Sequence, residues 1–302
     1  MTRNFLTLED ATREDLRSVL DLARAHAGGS LTNSLAGKTV CLALFEASTR
    51  TAVSFELAAR RCGADVISLS ENGSAIAKGE SLIDTVVTLD SLGADVLVLR
   101  HPAAGAAALA ARHAGSAVVN AGDGCGQHPT QALLDLYALG EALGGFDELA
   151  GRRVAIVGDI LHSRVARSVV PAFRAAGMEV ALVAPRTLLP LDAWDLPVLG
   201  SVDEALLWGA GVLYMLRLQK ERMTGARVPS VAEYSRFYGV HRRHLGGGVL
   251  VMHPGPVNRG VEISGDVVLD PSSLIPDQVA AGVHVRSAVL ALATGAAHEV
   301  AA

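Results

Sequence analysis

Short apolar runs alternate with longer stretches of helical period along this 302-residue chain. A brief continuous apolar run bounded by Gly, Asp or Asn is the pattern of a strand buried on both faces. Such runs predict strands at 39–45, 65–68, 95–99, 117–120, 153–157, 179–183, 212–216 and 249–252. Between them, apolar residues recur at three- and four-residue spacing, which predicts helices over 13–25, 52–62, 81–92, 105–113, 129–143 and 164–176, with a terminal helix near 279–292. Strands alternating with helices are the signature of an α/β chain with parallel sheets flanked by helices. The run from Leu143-Gly144-Gly145-Phe146 to Gly151 interrupts the alternation. Two domains are therefore expected, 1–135 plus 281–302 and 136–280, with the last helix crossing back to the first half.

Half the residues are hydrophobic but only 4% are aromatic, so the cores must be built from Ala, Val and Leu. The formal net charge is −5. That balance argues against a general nucleic-acid or membrane-surface binder, and an anionic ligand would need a local cluster of cations. Cys41, Cys62 and Cys125 have neither metal-ligand spacing nor an even-numbered disulfide framework, which predicts a reducing, cytoplasmic setting. Met1-Thr2-Arg3-Asn4 does not open a signal peptide, and no apolar run reaches the roughly 18–20 residues that span a bilayer.

The residues just past the predicted strands carry the chemistry. Ser48-Thr49-Arg50-Thr51 follows the first strand, and Arg100-His101-Pro102 follows 95–99. Gly122-Asp123-Gly124 and His128 follow 117–120, and Gly158-Asp159 with His162-Ser163-Arg164 follow 153–157. Arg217-Leu218-Gln219 follows 212–216, and His253-Pro254-Gly255-Pro256 follows 249–252. Open parallel sheets bind ligands outside the carboxyl ends of their strands. Polar strand ends in both halves predict one active-site cleft between two domains, lined for anions.

Each motif alone also has a plain reading. Ser48, Thr49 and Thr51 offer hydroxyls beside the Arg50 guanidinium and a following helix N-terminus, which together suit a phosphate. The same residues suit a simple N-cap with a solvated arginine. His128-Pro129-Thr130-Gln131 opens a helix, and His128 and Gln131, three apart, can share a face that polarises a carbonyl. A capping His and an exposed Gln read equally well. Arg217 and Gln219 point the same way on a strand and suit a carboxylate with a polar neighbour. They also suit two solvated side chains. Ser74 and Lys78 lie in a polar loop, where mobile ligand contacts and ordinary surface lysines are both at home. Val154 to Asp159 has the shape of a dinucleotide-fold strand, but only Gly158 sits in its turn, so no nucleotide cofactor is expected. No metal site is expected: His241-Arg242-Arg243-His244 is too tight for a helical pair and reads as surface.

In order, these segments resemble the transcarbamoylase family over nearly the whole chain. The carriers are Ser48-Thr49-Arg50-Thr51, Lys78-Gly79-Glu80, Arg100-His101-Pro102, Asn120-Ala121-Gly122-Asp123-Gly124, His128-Pro129-Thr130-Gln131, Arg217-Leu218-Gln219 and His253-Pro254-Gly255-Pro256. The family's ornithine branch has Cys where Thr130 stands and a Cys-Leu pair where Pro254-Gly255 stands. Together with Arg217 and Gln219, this favours the aspartate branch.

The resemblance implies transfer of the carbamoyl group of carbamoyl phosphate to the amine of L-aspartate, the committed step of pyrimidine synthesis, with no metal or organic cofactor. It implies carbamoyl phosphate binding by Ser48, Thr49, Arg50, Thr51, Ser74, Arg100, His128, Gln131, Pro254 and Gly255. Aspartate falls to Lys78, Arg164, Arg217 and Gln219, and catalysis to Arg50, Thr51, Lys78, Arg100, His128 and Gln131. It further implies a homotrimer in which Ser74 and Lys78 reach a neighbouring subunit's site, a 217–245 region that moves, and a supporting role for Arg286. The 158–164 stretch and the His-Pro-Gly-Pro form resemble the bacterial branch that often pairs with a dihydroorotase, which makes a dihydroorotase one candidate partner and a regulatory chain another. One departure stands out: Ala52 occupies a position where the family usually has Arg. The alternatives are transfer to another acidic amine, and a non-catalytic scaffold paralogue.

Overall fold

In the computed structural model, residues 4–30, 32–70, 79–219 and 230–296 are described. They divide into two compact units, Met1–Leu134 with Val279–Ala302, and Asp135–Gln278. The division falls inside two helices.

The first unit opens with α1 (Arg13–Ala27), capped by a reciprocal Thr12–Asp15 capping box. Its sheet contains β1 (Thr39–Leu44), β2 (Asp65–Ser70), β3 (Val96–His101) and β4 (Ala117–Asp123). The connections are α2 (Thr49–Arg61), α3 (Leu82–Ser91) and α4 (Ala106–His113), and α5 (Pro129–Leu143) leaves β4. All pairs are parallel, in the order β2-β1-β3-β4. Alternate residues Cys41, Ala43, Leu97, Leu99 and Val118 pack under α3 and α4 through Val86, Leu89, Ala106, Ala107 and Ala110. Val40, Leu42, Val98 and Val119, of opposite parity, are buried as well, which explains the unbroken apolar runs.

The second unit holds β5 (Arg153–Val157), α6 (Arg164–Ala175), β6 (Glu179–Val183), β7 (Val198–Leu199), α7 (Val202–Leu207), β8 (Val212–Met215), α8 (Val231–Tyr238) and β9 (Leu250–Met252). α9 (Ile275–Thr294) closes the fold. The sheet is again parallel, in the order β7-β6-β5-β8-β9. Its core gathers Ala155, Val157, Val183, Leu213, Met215 and Val251 with Val202 and Ala205 of α7.

Three departures from the sequence expectation have physical causes. α2 begins at Thr49 rather than 52, because the Ser48 hydroxyl caps the Thr51 N–H and pulls the motif into the first helical turn. α7 and α8 are additional short helices, each started by a serine that caps a glutamate three residues on (Ser201–Glu204, Ser230–Glu233). His244 is buried rather than on the surface: its Nε2 lies 3.3 Å from Asp203 of α7.

In the first unit, His26 of α1 faces His284 of α9 with Nδ1 atoms 3.0 Å apart. Burial, then His284, then the nearby Arg61 push the His26 pKa down to about 4, and burial and Arg61 lower His284. The folded state therefore resists protons that the unfolded chain accepts below about 6.5. Stability is unaffected above that pH and declines as pH falls from 6.5 toward 4. The slope stays below the roughly 1.4 kcal/mol per pH unit of one fully shielded group, because solvent partly screens both rings. Urea unfolding at pH 5 and pH 7.5 measures it: the double variant His26→Leu, His284→Leu should flatten the dependence.

Candidate active site

Both sheets have a topological switch point, where neighbouring connections leave in opposite directions. In the first unit it lies between β1 and β3, in the second between β5 and β8. Ligands in open α/β sheets bind at such points, beyond the carboxyl ends of the strands. Ser48, Thr49, Arg50, Thr51 and Arg100 lie at the first point, and Arg164, Arg217 and Gln219 at the second.

At the β1/β3 point, Leu44 pairs with Arg100, so the Ser48 segment and Arg100 leave adjacent strands. Ser48 has extended backbone (φ −163°) and its hydroxyl donates to Thr51 Oγ1 at 2.9 Å. The first turn of α2 contains no acid; it carries Arg50 instead, and its leading N–H groups have no partners within the helix. Burial lowers the Arg50 pKa, yet a guanidinium stays charged. Arg286, held in the interior, braces this turn. It donates to Ser54 Oγ and lies 4.9 Å above the Phe55 ring, while Ser54 in turn donates to the Arg50 carbonyl at 2.5 Å. Ala52 is half-buried within the turn and its N–H bonds the Ser48 carbonyl at 3.0 Å.

Arg100 is buried. Nη1 donates to the Ala121 carbonyl at 3.1 Å and Nη2 to Glu46 Oε1 at 2.7 Å. The next strand, β4, delivers His128 through a tightly bonded loop. Asp123, interior and ionisable, accepts from Gly105 N–H (2.6 Å), Gln127 N–H (2.7 Å) and Asn120 Nδ2 (3.0 Å). Gly124 has φ +47°, and a Cβ there would meet Ala104 N at 2.5 Å and Pro102 O at 2.6 Å. Gly124→Ala is therefore expected to destabilise the protein by about 3 kcal/mol or more, the range for a backbone clash at a special conformation. Thermal unfolding reads it. His128 and Gln131 are both buried at the start of α5, where the Gln131 N–H bonds the His128 carbonyl at 3.0 Å.

At the β5/β8 point, α6 again has no acid in its first turn and begins with the buried Arg164 behind the Ser163 cap. Arg217 and Gln219, both half-buried, follow β8. A fully buried carboxylate joins the two strand ends. Asp159 Oδ1 lies 2.8 Å from His162 Nδ1 and Oδ2 accepts the Gln219 N–H at 3.3 Å, while Gln219 Nε2 donates to the His162 carbonyl at 3.2 Å. Pro254 and Gly255 follow β9, the neighbour of β8. Ser74 and Lys78 lie outside the described residues.

Two domain descriptions match this chain. Residues 3–141 match the aspartate/ornithine carbamoyltransferase carbamoyl-P binding domain, and residues 150–293 match the Asp/Orn binding domain of the same enzymes. The chain belongs to the aspartate/ornithine carbamoyltransferase family. The aspartate carbamoyltransferase catalytic subunit of Rubrobacter xylanophilus is 78% identical over 302 residues, 99% of each chain. The aspartate transcarbamoylase of Trypanosoma cruzi, solved with N-(phosphonacetyl)-L-aspartic acid, superposes with a TM-score of 0.85 at 31% identity, over 96% of this chain and 95% of that one. Ornithine carbamoyltransferase of Pyrococcus furiosus gives 0.84 at 26% identity, over 97% of both. The fold is thus common to both branches of the carbamoyltransferase family.

Sequence reasoning missed Glu46, Asp123 and Asp159 as supports of this carbamoyltransferase site. Glu46 stands beside the anion segment and Asp159 directly after a strand, so strand-end position was the available signal. Glu46 and Asp159 bond partners 54 and 60 residues away and Asp123 reaches Gly105, 18 residues back, links that no local pattern displays.

Proposed function

We propose that this chain transfers the carbamoyl group of carbamoyl phosphate to L-aspartate, giving N-carbamoyl-L-aspartate and phosphate. The observation that carries this reading is the repeated device at the two switch points: an acid-free helix N-terminus with an arginine in its first turn, beside a second arginine at the end of the adjoining strand (Arg100) or just past it (Arg217). One copy suits a phosphate and the other a carboxylate. The names of the relatives supply the reaction that joins such substrates.

Residues 1–135 with 281–302 would serve carbamoyl phosphate and 136–280 aspartate. Ser48, Thr49, Arg50, Thr51 and Arg100 hold the phosphate, with Ser74 completing that set. Thr51, Arg100 and His128 direct donors at the carbamoyl oxygen, which gains charge as the amine attacks. Gln131 and the carbonyls of Pro254 and Gly255 accept from the carbamoyl NH₂. Arg164, Arg217, Gln219 and Lys78 receive the aspartate carboxylates. The C–N bond forms, the C–O bond to phosphate breaks, and the departing phosphate takes the ammonium proton, so no dedicated protein base is needed. Holding the two reactants in line supplies much of the acceleration.

The reading extends to a homotrimer with Ser74 and Lys78 contributed across subunits, working in the cytoplasm. Exposed Val53, Leu57, Ile67 and Val87 on the first unit favour self-association, and three free cysteines suit a reducing compartment. A dihydroorotase or regulatory chain as further partner rests on sequence pattern alone. Ala52 is the one feature that favours a scaffold role.

The test offers carbamoyl phosphate with L-aspartate and, separately, L-ornithine to the purified chain. Product with aspartate alone is expected; product with ornithine alone, or with neither, would refute the assignment. Light scattering gives the assembly. Mixed Lys78→Ala and Arg100→Ala subunits should recover activity that each lacks alone if sites are shared.

A further inference from the structure

The turn after β9 offers a ligand acceptors and no donors. Pro254 and Pro256 have no N–H. The Gly255 N–H, the only backbone donor of the Pro-Gly-Pro segment, is spent on His253 Nδ1 at 2.7 Å. Three carbonyl oxygens remain. Such a surface suits a group bearing N–H and disfavours phosphate oxygens.

His253 itself is rigidly held. An amide N–H can only donate, so Nδ1 is the accepting nitrogen and Nε2 carries the ring proton. Nε2 lies 3.4 Å from Glu262 Oε1, and both side chains are fully buried. The same Glu262 oxygen accepts the Asn258 N–H at 2.5 Å. Ring and carboxylate therefore grip the turn at Gly255 and at Asn258. The main chain is anchored too: the His253 N–H donates to Gln278 Oε1 at 2.9 Å, Gln278 Nε2 to Asp135 Oδ1 at 2.7 Å, and Tyr214 OH to Asp135 Oδ2 at 2.5 Å. Every member of this chain of bonds is buried. A buried network of this kind restrains the turn toward one conformation.

We infer that His253 is a positioning residue that sets specificity: by capturing the Gly255 N–H it keeps the turn free of donors, so that the site selects the NH₂ of carbamoyl phosphate over analogues without N–H. The inference rests on the proposed carbamoyl transfer, with Pro254 and Gly255 at the carbamoyl group. Removing the ring would release a donor toward the ligand and loosen the carbonyls together.

The experiment compares the KM for carbamoyl phosphate with the inhibition constant of acetyl phosphate, which has a methyl group in place of NH₂. The variants are His253→Asn, His253→Gln and His253→Leu in the full chain. Asparagine can return an acceptor near the Nδ1 position; glutamine reaches toward Nε2 instead, and leucine offers none. The ratio of the two constants should shift toward acetyl phosphate by about tenfold in the Leu and Gln variants, the worth of one hydrogen bond. The Asn variant should stay within about threefold of the parent protein, since its acceptor is restored. A lowered melting temperature with an unchanged ratio in Leu and Gln would leave His253 merely structural and overturn the inference. If the Leu variant does not fold, the Asn and Gln variants decide. A parent protein that fails to carbamoylate aspartate would instead refute the function on which the inference rests.

Discussion

Carbamoyl transfer should fall by about 10²–10³-fold when Arg100 is replaced by alanine, the usual loss when one donor to a developing oxyanion is removed. The surroundings of Arg100 suit the proposed role. Its guanidinium is interior, held by the Ala121 carbonyl and by Glu46, beside a helix N-terminus whose first turn carries no acid. A preorganised donor costs no reorganisation when charge develops. The effect should appear mainly in kcat if Arg100 serves the transition state, and in the KM for carbamoyl phosphate if it serves ground-state binding alone. Arg100→Lys should recover only part of the loss, because an ammonium cannot keep the two directed bonds of the fork. The double variant Arg100→Ala, Glu46→Gln is the control. Alanine alone leaves the Glu46 carboxylate without its cation, and that charge would itself repel a phosphate. If the double variant regains full activity, Glu46 is the cause and Arg100 is not a donor to the substrate. A loss smaller than about tenfold in the single variant would also sink the assignment.

Much of this site could be read from the chain because strand ends announce themselves. The runs ending at Leu44, Leu99 and Val157 are short and apolar, and Arg, His, Ser or Thr follows each within five residues. Parallel sheets bury both faces of a strand, so the first polar residue after such a run marks the ligand end. Which strand ends lie side by side was not legible. That depends on strand order, and β1 adjoins β3, and β5 adjoins β8, only through pairing across more than fifty residues. The start of α2 was misplaced for a local reason: Ser48 was available as a cap, but Thr49 and Thr51 are poor helix formers and read as loop. The short α7 went unseen because its stability lies in tertiary packing of Val202 and Ala205 rather than in a long amphipathic period. His244 reads as surface in the sequence because its partner, Asp203, is supplied by that same helix.

Replacing Asp159 should weaken the aspartate side of the site as strongly as losing Arg100 weakens the other. No local pattern names this residue as functional; Gly158-Asp159 after a strand looks like the opening of a nucleotide turn. In the fold it is fully buried, and its two oxygens bond residues that leave different strands, His162 after β5 and Gln219 after β8. Gln219 then closes the link by donating to the His162 carbonyl. The backbone permits this closeness only through Gly158, where a Cβ would stand 2.7 Å from the Leu216 carbonyl. Asp159 thus sets the spacing between Arg164 on one side and Arg217 with Gln219 on the other. With Asp159→Ala, three donors (the His162 N–H, the His162 ring and the Gln219 N–H) lose their acceptor, at about 1–3 kcal/mol for each that stays buried. The KM for L-aspartate should rise by about 10–100-fold and kcat should fall by about 10²-fold, since misplacement by an ångström carries a cost of that order. Asp159→Asn keeps the shape and one acceptor, so it should fall between the two. The KM for carbamoyl phosphate should move by less than about threefold, because the Arg100 side is untouched. Equal loss for both substrates would mean that Asp159 supports the fold as a whole and does not order the aspartate contacts.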